Sequence, residues 1–297
     1  MNNYIFYLLL GSLFLGFVEA LNGKIFIKYP KLSSVGLILV GSLCHLILTT
    51  SFIIIFKVPF VRLDLFTIFL IPIMGLISYY SNRLFYNSFK YQPVSVSTLI
   101  VMSSIVVTTI LGRILFAESV NLFQWAGIFL ILFAVFTVNA GGLDKKSFQK
   151  VFKPTKATKY VLLSALLWGI YNSLLKLVAQ DLHPYWYLLF ETIFTVPFYF
   201  LLDRKEIFKQ FKVLKNRKLF IILSFTIIFY FLYNSIRITS LGKGLALPIV
   251  DAIDNFVIFI IIFFEVVLFK VKQKDILLKI LCSIIAVGGV LLISFCG

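Results

Sequence analysis

Acidic side chains are scarce in this chain, with 12 Asp and Glu set against 28 Lys and Arg in 297 residues. Histidine occurs twice and cysteine three times. Cys44, Cys282 and Cys296 all lie inside apolar runs, with no CxxC pair and no His-Cys cluster at metal spacing. A disulfide framework and a zinc site are therefore not expected, and the cysteines read as packing residues. No GxSxG, HExxH, Walker loop or GxGxxG occurs, so the chain is not expected to be an enzyme, and no cofactor or metal is expected. Charge of either sign makes up only 13% of the residues. The hydrophobic share is 61% and the mean hydropathy is +1.02, outside the range of a soluble domain. The formal charge of +16 does not imply nucleic acid as a partner, because the basic residues sit in short connections and form no separate basic domain.

Long apolar runs take up the rest of the chain. A spanning helix needs about 20 residues, and ten segments of that kind are present: 4–25, 33–56, 65–88, 94–116, 121–140, 159–179, 185–202, 218–237, 245–269 and 276–296. The first lacks a basic leader and contains Glu19 and Asn22, so it reads as a retained helix. The longest polar connections are 141–159 and 203–218. Of the 28 basic residues, 22 lie in the odd-numbered connections, which places those connections in the cytoplasm and both termini outside.

The connection after the fifth segment divides the chain into two groups of five, with units 1–142 and 159–297 joined by 143–158. FYNSFK from Phe85 returns as LYNSIR from Leu232, 147 positions later, and the same offset places Glu118 on Glu265. YLLLGSLFLGFVE from Tyr7 resembles YVLLSALLWGIYN from Tyr160, which aligns Gly16 with Gly169 and Glu19 with Asn172. Five is odd, so a second copy enters the membrane from the opposite side. The fold expected is an all-α membrane protein of ten transmembrane helices in two inverted five-helix repeats.

Acids inside the membrane are costly and face a cavity, a partner or water. On a regular helix, Asp251, Asp254 and Glu265 of the ninth segment share one face. The repeat separates them: Glu265 pairs with Glu118 and reads as a structural acid, while Asp251 and Asp254 have no counterpart. With Asn255 beside them, Asp251 and Asp254 are candidates for holding a substrate ammonium or taking up a proton, or alternatively for an ion pair with Arg113, Lys176 or Arg237. Glu19 is a further proton-coupling candidate. Ser104 and Thr108 in the fourth segment, Tyr86 and Asn87 with their matches Tyr233 and Asn234, and Trp168, Asn172 and Lys176 in the sixth complete the substrate-binding candidates. Glu191 follows the same logic without a repeat counterpart, and His45 reads as a satisfied interior histidine. Lys90 reads as snorkelling to the headgroups.

FYNSFKYQPVSVSTLI from Phe85, ILFAES from Ile114 and LLWGIYNSLLK from Leu166, in this order and duplicated, resemble the drug/metabolite transporter superfamily in its ten-helix EamA-like form. The resemblance covers nearly the whole chain. The chain departs from the family pattern after Glu265, where VVLFKVKQK follows in place of a short loop. The resemblance implies a multi-pass carrier with a central cavity lined from both halves, in a cell membrane such as the bacterial inner membrane, and it implies both termini inside, against the charge count. The function expected is export or exchange of a small polar or amphipathic metabolite, such as an amino acid or other amine-bearing compound, by secondary active transport, with proton coupling as a further expectation. Uptake of a nutrient or nucleotide-like compound, and a non-transporting scaffold or sensor, are the alternatives. The partners expected are the small-molecule substrate, the lipid bilayer and a second copy in a homodimer.

Overall fold

Helix starts are set by local side-chain chemistry. Ser33 accepts from the Gly36 amide, Asp64 from Thr67, and Asn121 and Gln124 exchange reciprocal bonds at 2.9 Å, each satisfying an amide that has no partner in the first turn. The hydrogen bonds from Thr67 hold the Asp64 carboxyl below the usual carboxylate range. The computed structural model describes residues 2–60, 63–116, 121–140, 155–178, 182–242, 250, 253–269 and 276–295. Its helices are α1 (Asn2–Lys28), α2 (Ser34–Ile55), α3 (Leu65–Ser88), α4 (Val94–Val101), α5 (Ser104–Phe116), α6 (Leu122–Ala140), α7 (Lys156–Val178), α8 (Pro184–Leu214), α9 (Arg217–Gly242), α10 (Val257–Phe263) and α11 (Ile276–Phe295). The described residues contain no strand.

Among the described residues, seven spans are long and apolar enough to cross a bilayer, one of them Val94–Leu115, which runs through α4 and α5; Leu122–Val138 is apolar but shorter. Large side chains such as Phe66, Phe69, Phe129 and Phe133 point outward from these helices, where lipid tails solvate them.

Three of the ten expected segments take a different form. The fourth breaks at Met102 and Ser103, where amides bond three residues back and the Ser103 hydroxyl donates to the Ile100 carbonyl at 2.7 Å. The hydroxyl competes for the helix ladder and tightens the turn. The seventh does not end at 202. It kinks at Asp203 (φ −127, ψ 27) and stays helical to Leu214, so the expected polar connection is largely helix. Its amphipathic pattern explains this, because Ile207 and Gln210 turn inward while Phe208 and Lys209 face out. The Gln210 side chain accepts from the Ser33 amide at 3.1 Å and donates to the Lys31 carbonyl at 3.2 Å, tying α8 to the start of α2. Gln210→Ala is expected to cost about 1 kcal/mol. Hydrogen exchange should then rise over 204–214 and leave the rest of α8 unchanged.

The ninth segment is not one regular helix. It breaks at Phe256, runs as α10 and closes on a π-helical turn, Phe264–Leu268. The wider turn rotates Glu265 away from the face that carries Asp254. Glu265 is buried, and its Oε1 accepts from the Val94 amide at 3.0 Å, capping α4 after Pro93. The expected acidic stripe is therefore divided between two elements. Glu118 and Asp251 lie outside the described residues.

The packing pairs are α1 with α9, α3 with α7, α2 with α8, α1 with α10, α4 and α5 with α7, α2 with α9, α3 with α8, and α6 with α11. Close approach is achieved with small residues. Ser81 and Ser164 each donate to the other's backbone carbonyl, at 3.0 and 2.9 Å, across the α3–α7 contact. Gly127 and Gly289 bring the backbones of α6 and α11 together.

Candidate functional site

A cavity of about 280 Å³ lies at the centre of the bundle. Residues of α1, α2, α3, α4, α5, α7, α8 and α9 and the 254–257 stretch line it, whereas none of α6 or α11 does. The charged lining residues among those described are Glu19, Glu191, Asp254 and Arg237.

Each acid is met by tyrosine. The Tyr86 hydroxyl on α3 donates to Glu19 Oε1 on α1 at 3.2 Å. Tyr171 on α7 donates to Glu191 Oε1 on α8 at 2.8 Å and lies 2.6 Å from the Tyr187 hydroxyl. Tyr233 on α9 donates to Asp254 Oδ2 at 2.8 Å. Arg237, one turn on, donates from Nε to the same oxygen at 2.8 Å and from Nη2 to Asn172 Oδ1 at 3.3 Å. Asp254 Oδ1 is buried without a hydrogen-bond partner. The first two acids are thus held by neutral donors, while the third sits in a buried ion pair. A space this polar inside an apolar bundle can hold a small molecule with hydrogen-bonding and cationic groups.

Residues 2–140 match the model of the EamA-like transporter family. That match, over just under half of the chain, supports an EamA-like transporter, and with the apolar helices it indicates a multi-pass membrane protein. No curated protein matches the sequence. Among 28 matching chains of solved structures, one described only as the crystal structure of a protein is 12% identical, with a TM-score of 0.59, over 96% of this chain and 94% of its own. That likeness is one of fold.

The cavity of this EamA-like chain gathers most of the residues singled out from sequence. Glu19, Tyr86, Ser104, Trp168, Asn172, Tyr233, Asn234, Asp254 and Asn255 line it. Two candidates have other partners. Thr108 donates back to the Ser104 carbonyl at 3.1 Å and reaches the Gly169 carbonyl at 3.4 Å, joining α5 to α7. Asn87 accepts from the Ser34 hydroxyl at 2.9 Å and joins α3 to α2. Neither is among the lining residues. The Lys176 side chain, like all of Asp251, lies outside the described residues. Of the ion pairs weighed for Asp254, the one with Arg237 is formed. Arg83 on α3 pairs with Asp203 at 2.9 Å, at the kink of α8.

Glu191, Tyr171, Tyr230 and His45 also line the cavity and were not among the substrate-binding candidates. For Glu191 the signal was present, an acid in the middle of an apolar run. The absence of a repeat match drew attention away from it. His45 is interior as expected but not satisfied, because its Nε2 has no partner, and its ring lies 5.8 Å from that of Tyr230. The described residues contain no group of acids, histidines and cysteines able to hold a metal.

Proposed function

We propose that this transporter moves a small polar or amphipathic metabolite bearing an amine, by secondary active transport through alternating access, in the direction of export or in exchange. The central cavity is the observation that carries this reading: its described lining holds three carboxylates and a single, already paired guanidinium, which favour a ligand with cationic character. Asp254 and Glu19 are the proposed proton-coupling groups, and the plasma membrane of a bacterium is the proposed location, with a homodimer as the proposed assembly.

The packing pattern supports two inverted repeats, 1–142 and 159–297, joined by 143–158. Exchanging α1 with α7, α2 with α8, α3 with α9, α4 and α5 with α10, and α6 with α11 turns the most extensive packing pairs into one another. The matched glycines behave alike: Gly16 faces Ile260 of α10, and Gly169 faces Val107 of α5. A site between two such units can open to either side by rocking one against the other.

Counterflow in sealed proteoliposomes tests this. Labelled amine-bearing substrate outside should accumulate against unlabelled substrate inside, and Asp254→Asn should insert normally yet exchange more slowly. Lack of any counterflow across amine-bearing metabolites would favour the scaffold or sensor, and full activity in Asp254→Asn would remove that residue from the site. Exchange driven by a pH gradient that survives its collapse would remove proton coupling.

A further inference from the structure

The three acids of the cavity are not equivalent. Asp254 shares one oxygen between Arg237 and Tyr233, so its charge is already balanced. Among the described residues Glu19 and Glu191 have no ion pair and are held by hydroxyls and an amide, Tyr86 and Asn22 for the one, and Tyr171, Tyr187 and Ser78 for the other. Arg237 acts on Glu191 only at longer range. When the cavity closes and water leaves, each uncompensated carboxylate must take up a proton or meet a cation.

The two acids stand on different helices, α1 and α8, and line the same cavity as the aromatic Tyr230, which lies within electrostatic reach of both. Around it the cavity offers what a cation with N–H donors and an aliphatic body requires. His45 Nε2 and Thr98 Oγ1 line the space, lie on side chains more than nine-tenths buried, and have no hydrogen-bond partner. An ammonium carries three donors, enough for a carboxylate oxygen and one such atom at once. Leu37, Ile38 and Leu188 supply apolar wall, and the faces of Tyr230 and Trp168 suit cation–π contact.

We propose that the cavity contains two cation subsites, one at Glu19 and one at Glu191, and takes an organic dication, an aliphatic diamine whose chain crosses Tyr230. This rests on the amine reading above. The two acids then act as a bivalent receptor, and tethering the second ammonium to the first raises its local concentration. A monoamine occupies one subsite and leaves the other carboxylate unmatched.

The test is thermal stabilisation of the purified full-length chain by α,ω-diaminoalkanes of increasing length and by n-alkylamines with the same number of heavy atoms. The best diamine should reach half-maximal stabilisation at a concentration at least about tenfold below its matched monoamine. Glu19→Gln and Glu191→Gln should each bring the diamine to the monoamine level and change the monoamine by only about twofold, because one subsite remains. Where a Gln variant unfolds in detergent, Glu19→Asp or Glu191→Asp replaces it, and the preferred diamine should become longer as the carboxylate retracts. Equal concentrations for diamine and monoamine would overturn the two-subsite proposal and leave the amine reading standing. Failure of every amine to stabilise the protein would overturn the amine reading itself.

Discussion

Arg237→Met is expected to be the most damaging substitution in the cavity, costing about 3–5 kcal/mol. Arg237 is 8% exposed, and its guanidinium is the only cation lining the cavity among the described residues. It holds Asp254 at 2.8 Å and Asn172 at 3.3 Å, and so ties α9 to both the 254 stretch and α7. Removing it leaves Asp254 buried with a hydroxyl as its remaining described donor, beside two other acids. Most of the loss therefore comes from the stranded carboxylate and not from the missing contact. The double variant Arg237→Met, Asp254→Asn should recover much of the lost stability, since no unpaired charge is left, while exchange stays impaired. Thermal midpoints in detergent for both single variants and the double variant give the coupling. A double variant no more stable than Arg237→Met would show that the ion pair is not the source of the effect.

Gly169→Leu should have the second largest effect, through shape alone. A Cβ at Gly169 would sit 2.4 Å from Val107 Cβ and 2.8 Å from the Ser104 carbonyl oxygen, so α5 would have to move off α7. Overpacking of this kind costs about 1–3 kcal/mol. The consequence for transport should be larger, because Tyr171 and Asn172, which hold Glu191 and Arg237, follow directly on this turn of α7. Counterflow should fall to background while the protein still inserts. Gly288→Ala is the control, since nothing lies within 4 Å of its added Cβ, and it should transport normally. Unchanged counterflow in Gly169→Leu would show that this contact does not position the site.

The helical, membrane-spanning character of the chain was legible because spanning a bilayer demands about 20 apolar residues whatever the neighbours do. The recurrence of YNS in the sequence pointed to Tyr86 and Tyr233, and the structure places both at a carboxylate. The acids they meet differ in origin, with Glu19 from the first helix of its half and Asp254 from the ninth segment. No sequence offset connects those two positions, so the likeness of the two sites emerges only in space. The expected acidic stripe illustrates the opposite case. It assumed 3.6 residues per turn from Asp251 to Glu265, and the break at Phe256 with the π-turn after it sends Glu265 to cap α4 instead.

By itself the sequence determined that the chain is helical, spans a membrane many times, carries a duplicated pattern and lacks the motifs of an enzyme. These follow from composition and from residues close in sequence. Which acid is paired and which is open was decided only by the tertiary structure. Arg237, Asn172 and Asp254 lie on three separate elements, as do Glu19, Tyr86 and Tyr230. A carboxylate's partners are set by packing between helices, and an intramembrane charge takes its meaning from the group that the neighbouring helix turns toward it.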